Sequence, residues 1–160
     1  MRWQAACLQL FDMKTLPEKL LGKKILLVED DRSFRETLGG LLSLDNHTVT
    51  EANNGAEAWG LFAPDRFDVV VTDFMLPFLK GTELAAQIKR LAPAQPILMV
   101  TGFGMRPGRH TNVDWVLRKP FLLGELRVAL IKVMRSRNSH QFVRNAPVTE
   151  FYQRPPTVLA

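Results

Sequence analysis

Apolar residues along this chain recur in two rhythms, and from residue 24 onward the two alternate. Short unbroken runs mark buried strands, and apolar positions three or four apart mark helices. Ile25–Val28 is the first such run. A helix follows, with Phe34, Leu38, Leu41 and Leu42 on one face and Asp31 or Ser33 as its cap. His47–Ala52 is a weaker strand, and a helix near 55–63 places Ala58, Leu61 and Phe62 inward, with Pro64 just beyond it. Val69–Thr72 is strongly β-branched and reads as a central strand. A loop containing Pro77 and Gly81 leads to a helix carrying Leu84, Ile88 and Leu91. Pro93 and Pro96 precede another strand, Ile97–Val100, after which Gly102, Gly104, Pro107 and Gly108 break the chain. Val113–Leu117 is the last predicted strand, and a closing helix carries Leu122, Leu126, Ala129, Leu130 and Val133.

Five strands alternating with helices predict an α/β fold, a parallel sheet doubly wound with helices on both faces. Right-handed crossovers leave few topologies. In such sheets the functional crevice lies at the carboxyl ends of the strands. The first strand ends in Glu29, Asp30 and Asp31, the third in Asp73 and the fourth in Thr101, and the fifth runs into Lys119. All of these should converge on one edge.

Charge divides the chain. Residues 23–131 carry 13 Lys and Arg against 13 Asp and Glu, so the net charge of +5 does not come from this core. Beyond it, Lys132, Arg135, Arg137, Arg144 and Arg154 face one acid, Glu150. Residues 23–136 read as one domain, and 137–160, with Pro147, Pro155 and Pro156, as a flexible basic tail. Residues 1–22 read as an extension or linker, in which Trp3, Cys7, Leu10 and Phe11 would share a helical face. Cys7 is the single cysteine, which fits a reducing cytoplasm. No apolar run approaches a membrane span, and no stretch has the two or three further amphipathic helices of a DNA-binding domain. The scattered histidines, His47, His110 and His140, read as solvated loop residues, and Trp59 and Phe121 as packing residues.

Taken singly, each polar residue has an ordinary explanation. Glu29 and Asp31 could start a helix, Asp73 a turn, and Lys119 could be a solvated surface lysine. Their joint placement on consecutive strand ends is what such explanations leave unaccounted for. Glu29, Asp30 and Asp73 would repel one another, and a divalent cation resolves that repulsion. Hard oxygen ligands with room for water suit Mg²⁺. Lys119 adds a point charge suited to a phosphate oxygen, and Thr101 a hydroxyl donor. Asp73 is the natural nucleophile, forming an aspartyl phosphate.

Four stretches, "KKILLVEDDRSFRETL", "DVVVTDFMLPFLKGTEL", "PILMVTGFG" and "VLRKPF", resemble in order and spacing the receiver domain of bacterial two-component response regulators, from about Lys24 to Met134. The resemblance implies a flavodoxin-like five-stranded sheet of order 2-1-3-4-5. It implies that Asp73 accepts a phosphoryl group from a sensor histidine kinase or phosphotransfer protein. Glu29, Asp30, Asp73 and the Met75 backbone carbonyl would bind Mg²⁺, directly or through water, and Thr101 and Lys119 would contact the phosphoryl group. A cis Lys119–Pro120 bond is expected. The output partner is not specified, and whether the domain pairs as a homodimer is left open, as is its origin as a stand-alone regulator or as part of a hybrid kinase. The chain departs from the pattern at Leu76, where methionine is usual, and at Val116, where an aromatic is usual. The 17 residues between Thr101 and Lys119 predict a shortened fourth helix.

Three other readings fit the sequence less well. A haloacid-dehalogenase-type phosphatase would need a second acid where Met75 stands. A nucleotide binder would need a glycine-rich loop after the first strand, where this chain has acids. An unphosphorylated receiver-like scaffold has no motivation while every expected site group is present.

Overall fold

The computed structural model describes residues 21–102 and 112–144, with side chains as far as residue 135. The elements in chain order are β1 (Lys24–Val28), α1 (Arg32–Ser43), β2 (Thr48–Ala52), α2 (Gly55–Leu61), β3 (Val69–Asp73), α3 (Gly81–Leu91), β4 (Ile97–Thr101), β5 (Trp115–Arg118) and α4 (Leu123–Arg144). The sheet is parallel throughout and ordered β2-β1-β3-β4-β5, as the resemblance implies.

Alternation along each strand divides the core between two faces. Ile25 and Leu27 of β1, with Val69, Val71, Leu98 and Val100, pack against Leu38 and Leu42 of α1 and Leu126, Ala129 and Val133 of α4. Leu26 and Val28, with Val70 and Ile97, pack against Ala58 of α2 and Leu84, Ala85 and Ile88 of α3. Every residue of β3 and β4 is buried, which explains why their sequences are unbroken apolar runs up to Thr72–Asp73 in β3 and Thr101 in β4. The strand ends are thereby fixed to a rigid two-sided core.

Some expected boundaries and environments differ. The last strand starts at Trp115 rather than Val113, because Asp114 is used to close the bottom of the sheet. Its amide bonds the Ile97 carbonyl, and its carboxylate accepts from the Ile97 N–H at 2.8 Å and from Lys89. Val113 instead packs against the α2–α3 core. The helix α4 continues to Arg144, past Arg137 where the flexible tail was expected to begin. His47 is not a solvated loop residue. It is 8% exposed, and its Nδ1 accepts the Lys23 N–H at 3.1 Å. Burial lowers its pKa below the ordinary 6.5, with nearby Asp45 opposing the shift. Trp59 packs by stacking on Phe62 and stays partly exposed. The Lys119–Pro120 peptide is cis, as expected. The predicted short fourth helix, the N-terminal helical face, and both His110 and His140 lie outside the residues whose placement or side chains are described.

Candidate functional site

Each site residue is delivered by the end of an element, and the sheet brings those ends together. β1 passes into Glu29, whose N–H still bonds the Ala52 carbonyl of β2. Asp30 follows and is exposed. Asp31 is the cap of α1, accepting the Phe34 N–H at 2.7 Å. That bond satisfies an otherwise orphaned helix donor and separates Asp31 from the two acids before it. Asp73 closes β3 and Thr101 closes β4, 9% and 2% exposed respectively. Lys119 comes just after β5, and its N–H bonds the Thr101 carbonyl at 2.8 Å.

The carboxylates of Glu29, Asp30 and Asp73 offer oxygens that all lie within 4.8 Å of one another. Three acids at that separation repel, and Glu29 is 3% exposed. Burial pushes the Glu29 pKa above its usual value, and the Lys119 bond partly offsets the rise. Lys119 Nζ stands 2.7 Å from Glu29 Oε2 and 3.4 Å from Asp73 Oδ1. Pairing of this kind offsets part of the cost of burying a carboxylate. The ammonium therefore ties the end of β5 to the ends of β1 and β3.

Two glycines let backbone approach this edge. A Cβ at Gly81, the first residue of α3, would overlap the Asp73 carbonyl oxygen. The Gly81 N–H also bonds the Phe74 carbonyl. A Cβ at Gly55 would overlap the carbonyl of Leu79, so the loop after Asp73 is pinned from two helices. Within that loop Phe78 has φ +65° and is 90% exposed, and the Met75 side chain is also exposed.

The sequence reading grouped Glu29, Asp30, Asp73, Thr101 and Lys119, and all five converge on this edge. It missed two supports. Arg35 Nη1 donates to the Glu29 carbonyl at 2.7 Å while its Nε pairs with Glu51 at 3.2 Å. The ring of Phe34 lies under the Lys119 ammonium, 4.0 Å from centroid to Nζ. Both residues lie in the first turn of α1, beside the acids, which was the available signal.

A donor set of three carboxylates is hard and anionic, and it suits Mg²⁺ rather than a soft metal. The residues present fit such an ion, with Glu29, Asp30 and Asp73 able to hold it.

A family model described as the response regulator receiver domain matches residues 25–131. The chain belongs to this family. Among curated relatives of the receiver domain, response regulator MprA of Mycobacterium ulcerans is 37% identical over 119 residues, 72% of this chain and 51% of its own length. MprA of Mycolicibacterium vanbaalenii is 38% identical over 116 residues, 70% of this chain and 50% of the relative. The chain thus spans about half the length of the curated relatives it matches. Among solved structures, the non-phosphorylated HemR receiver domain from Leptospira biflexa superimposes with a TM-score of 0.63 at 35% identity, covering 69% of this chain and 93% of that one. TrrA from Thermotoga maritima, in complex with Mg²⁺ and BeF, gives 0.65 at 28% identity, covering 69% and 98%. The receiver fold and its acidic edge therefore occur together here, in a chain whose described residues contain no helix long and apolar enough to cross a membrane.

Proposed function

We propose that Asp73 is the phosphoacceptor of this receiver domain, in a Mg²⁺-dependent transfer from the phosphohistidine of a sensor histidine kinase or phosphotransfer protein. The observation that carries this reading is Lys119 Nζ standing between Glu29 and Asp73 at the strand ends, 2.7 and 3.4 Å from them. That arrangement puts a cation beside a carboxylate on a fixed strand end, where an incoming phosphoryl group needs both.

In the transfer an Asp73 carboxylate oxygen bonds to phosphorus as the phosphorus–nitrogen bond to the donor imidazole breaks. The nitrogen leaves with the bonding pair and takes up a proton, and no atom changes oxidation state. Glu29, Asp30, Asp73 and the Met75 carbonyl would hold Mg²⁺, which when bound supplies positive charge against the phosphoryl oxygens. Lys119 contributes a second positive charge, and Thr101 a hydroxyl for hydrogen bonding to the phosphoryl group. Arg35 orients the Glu29 main chain.

The unit carrying this activity spans residues 23–136 and works in the cytoplasm, where a kinase partner would meet it. Its modification changes the binding of an output partner. Purified protein incubated with Mg²⁺ and phosphoramidate should gain one phosphoryl group by intact mass. Asp73→Asn should gain none. Equal labelling of Asp73→Asn, or modification mapping to Asp30 or Asp31, would overturn the assignment.

A further inference from the structure

Lys119 has a third neighbour besides its two carboxylates. Its Nζ lies 4.0 Å from the centroid of the Phe34 ring, within the range in which an aromatic face attracts a cation. The ring is held from two directions. The Phe34 N–H is bonded to the Asp31 cap at 2.7 Å, which fixes its backbone at the site end of α1. Phe121, two residues beyond Lys119, meets the ring edge-on with centroids 6.1 Å apart and planes at 84°.

Core packing alone does not require this residue type. Phe34 is half-buried at the margin of the α1–α4 core, where any aliphatic side chain would continue the apolar face. Only a π-face adds attraction for an ammonium. That attraction differs in kind from the other two contacts. A carboxylate that turns to a metal ion or to phosphorus is lost to Lys119 as a partner. The ring offers no lone pair to a metal and no net charge to repel a phosphoryl group, so its hold on the ammonium persists through those changes.

We propose that Phe34 is a positioning residue for Lys119, holding the ammonium beside Asp73 through its aromatic face. The proposal rests on Asp73 being the phosphoacceptor and assigns a role in that reaction to a residue outside the carboxylate cluster.

Three proteins decide it: wild type, Phe34→Leu and Phe34→Tyr, each first checked for a cooperative thermal transition. Protons lying over a benzene face are shifted upfield by its ring current. Wild type should show upfield Lys119 ε-methylene resonances, identified by their loss in Lys119→Met. Phe34→Tyr should keep them, and Phe34→Leu should return them to the position of an ordinary lysine. Labelling by phosphoramidate in saturating Mg²⁺ should slow about fivefold in Phe34→Leu, the factor equivalent to about 1 kcal/mol of cation–π energy. It should stay near the wild-type rate in Phe34→Tyr. A role in packing alone predicts that Leu serves as well as Tyr. Wild-type labelling by Phe34→Leu, equal slowing in both variants, or a Lys119 without upfield resonances in wild type would each overturn the proposal. If wild type itself takes no phosphoryl group, the phosphoacceptor reading falls, and the resonance comparison still decides whether the ring holds Lys119.

Discussion

Lys119 lies closer to Glu29 than to Asp73, 2.7 Å against 3.4 Å between nearest nitrogen and oxygen atoms. The ammonium therefore competes with any cation drawn to the same carboxylates. Lys119→Met should bind Mg²⁺ roughly tenfold more tightly, well under the full Coulomb energy of two charges a few ångströms apart. Titration calorimetry reads this directly. Its labelling by phosphoramidate should nevertheless be slower than wild type, because the charge beside the phosphoryl group is gone. Unchanged Mg²⁺ affinity would mean that Lys119 does not share those carboxylates in solution.

Asp30 is the exposed member of the acidic cluster, so it contributes negative charge without contributing to the core. Asp30→Asn should weaken Mg²⁺ binding and slow labelling at limiting Mg²⁺. Without Mg²⁺ its melting temperature should be equal to or higher than that of wild type, since one repulsion is relieved. A lower melting temperature would assign Asp30 a structural role that its exposure does not suggest.

Gly81 and Gly40 make a contrasting pair. At Gly81 a Cβ meets the backbone of Asp73, which cannot move without shifting the end of β3. Gly81→Ala should destabilise by about 1–3 kcal/mol or more and impair labelling with it. Gly40 sits inside α1 with nothing within 4 Å of its Cβ position. Gly40→Ala should stabilise by about 0.5–1 kcal/mol, as expected for a helix-interior glycine replaced by alanine. Thermal or urea unfolding of the two variants tests both signs.

His47 should make the domain acid-sensitive. Its folded pKa is depressed below 6.5, because burial penalises the charged ring. A proton on Nδ1 would also remove the acceptor for the Lys23 N–H. Above pH 6.5 the neutral ring is present in both states and its contribution is complete. As pH falls below 6.5 the unfolded chain takes the proton first, so stability falls until the folded pKa is passed. Glu29 works in the opposite sense at lower pH. Its folded pKa is raised above 4.5, so the folded state takes that proton first, and stability is gained as pH falls through that window. His47→Asn keeps a side-chain acceptor and cannot titrate. Its urea-unfolding free energy should change less than that of wild type between pH 7 and 5.5. Parallel curves would show that His47 does not titrate differently on folding.

The strands of the core were legible because period and composition are local properties. Val69–Thr72 could only be a buried strand, and the structure extends it by the single residue Asp73. The errors arose where one side chain answered to a distant element. Val113 is β-branched like Val116 within β5, yet Asp114 bonds Ile97 and Lys89 and so delays the start of β5. His47 reads as a solvated loop residue, but it is buried and its Nδ1 accepts the Lys23 N–H.

By itself the sequence determined the alternation of strands and helices, the two-sided core, and the placement of Glu29, Asp30, Asp73, Thr101 and Lys119 at strand ends. The alternation of buried positions leaves a doubly wound sheet few alternatives, and its strands' carboxyl ends must share an edge. Tertiary structure alone decided how those groups are partnered. Lys119 takes Glu29 as its nearest carboxylate across 90 positions of chain, Arg35 holds the Glu29 carbonyl, and Phe34 turns its ring to the ammonium. Period fixes which face of an element a residue occupies. The packing of α1 against the sheet fixes which side chains from separate elements come within a few ångströms, where electrostatic and cation–π energies are decided.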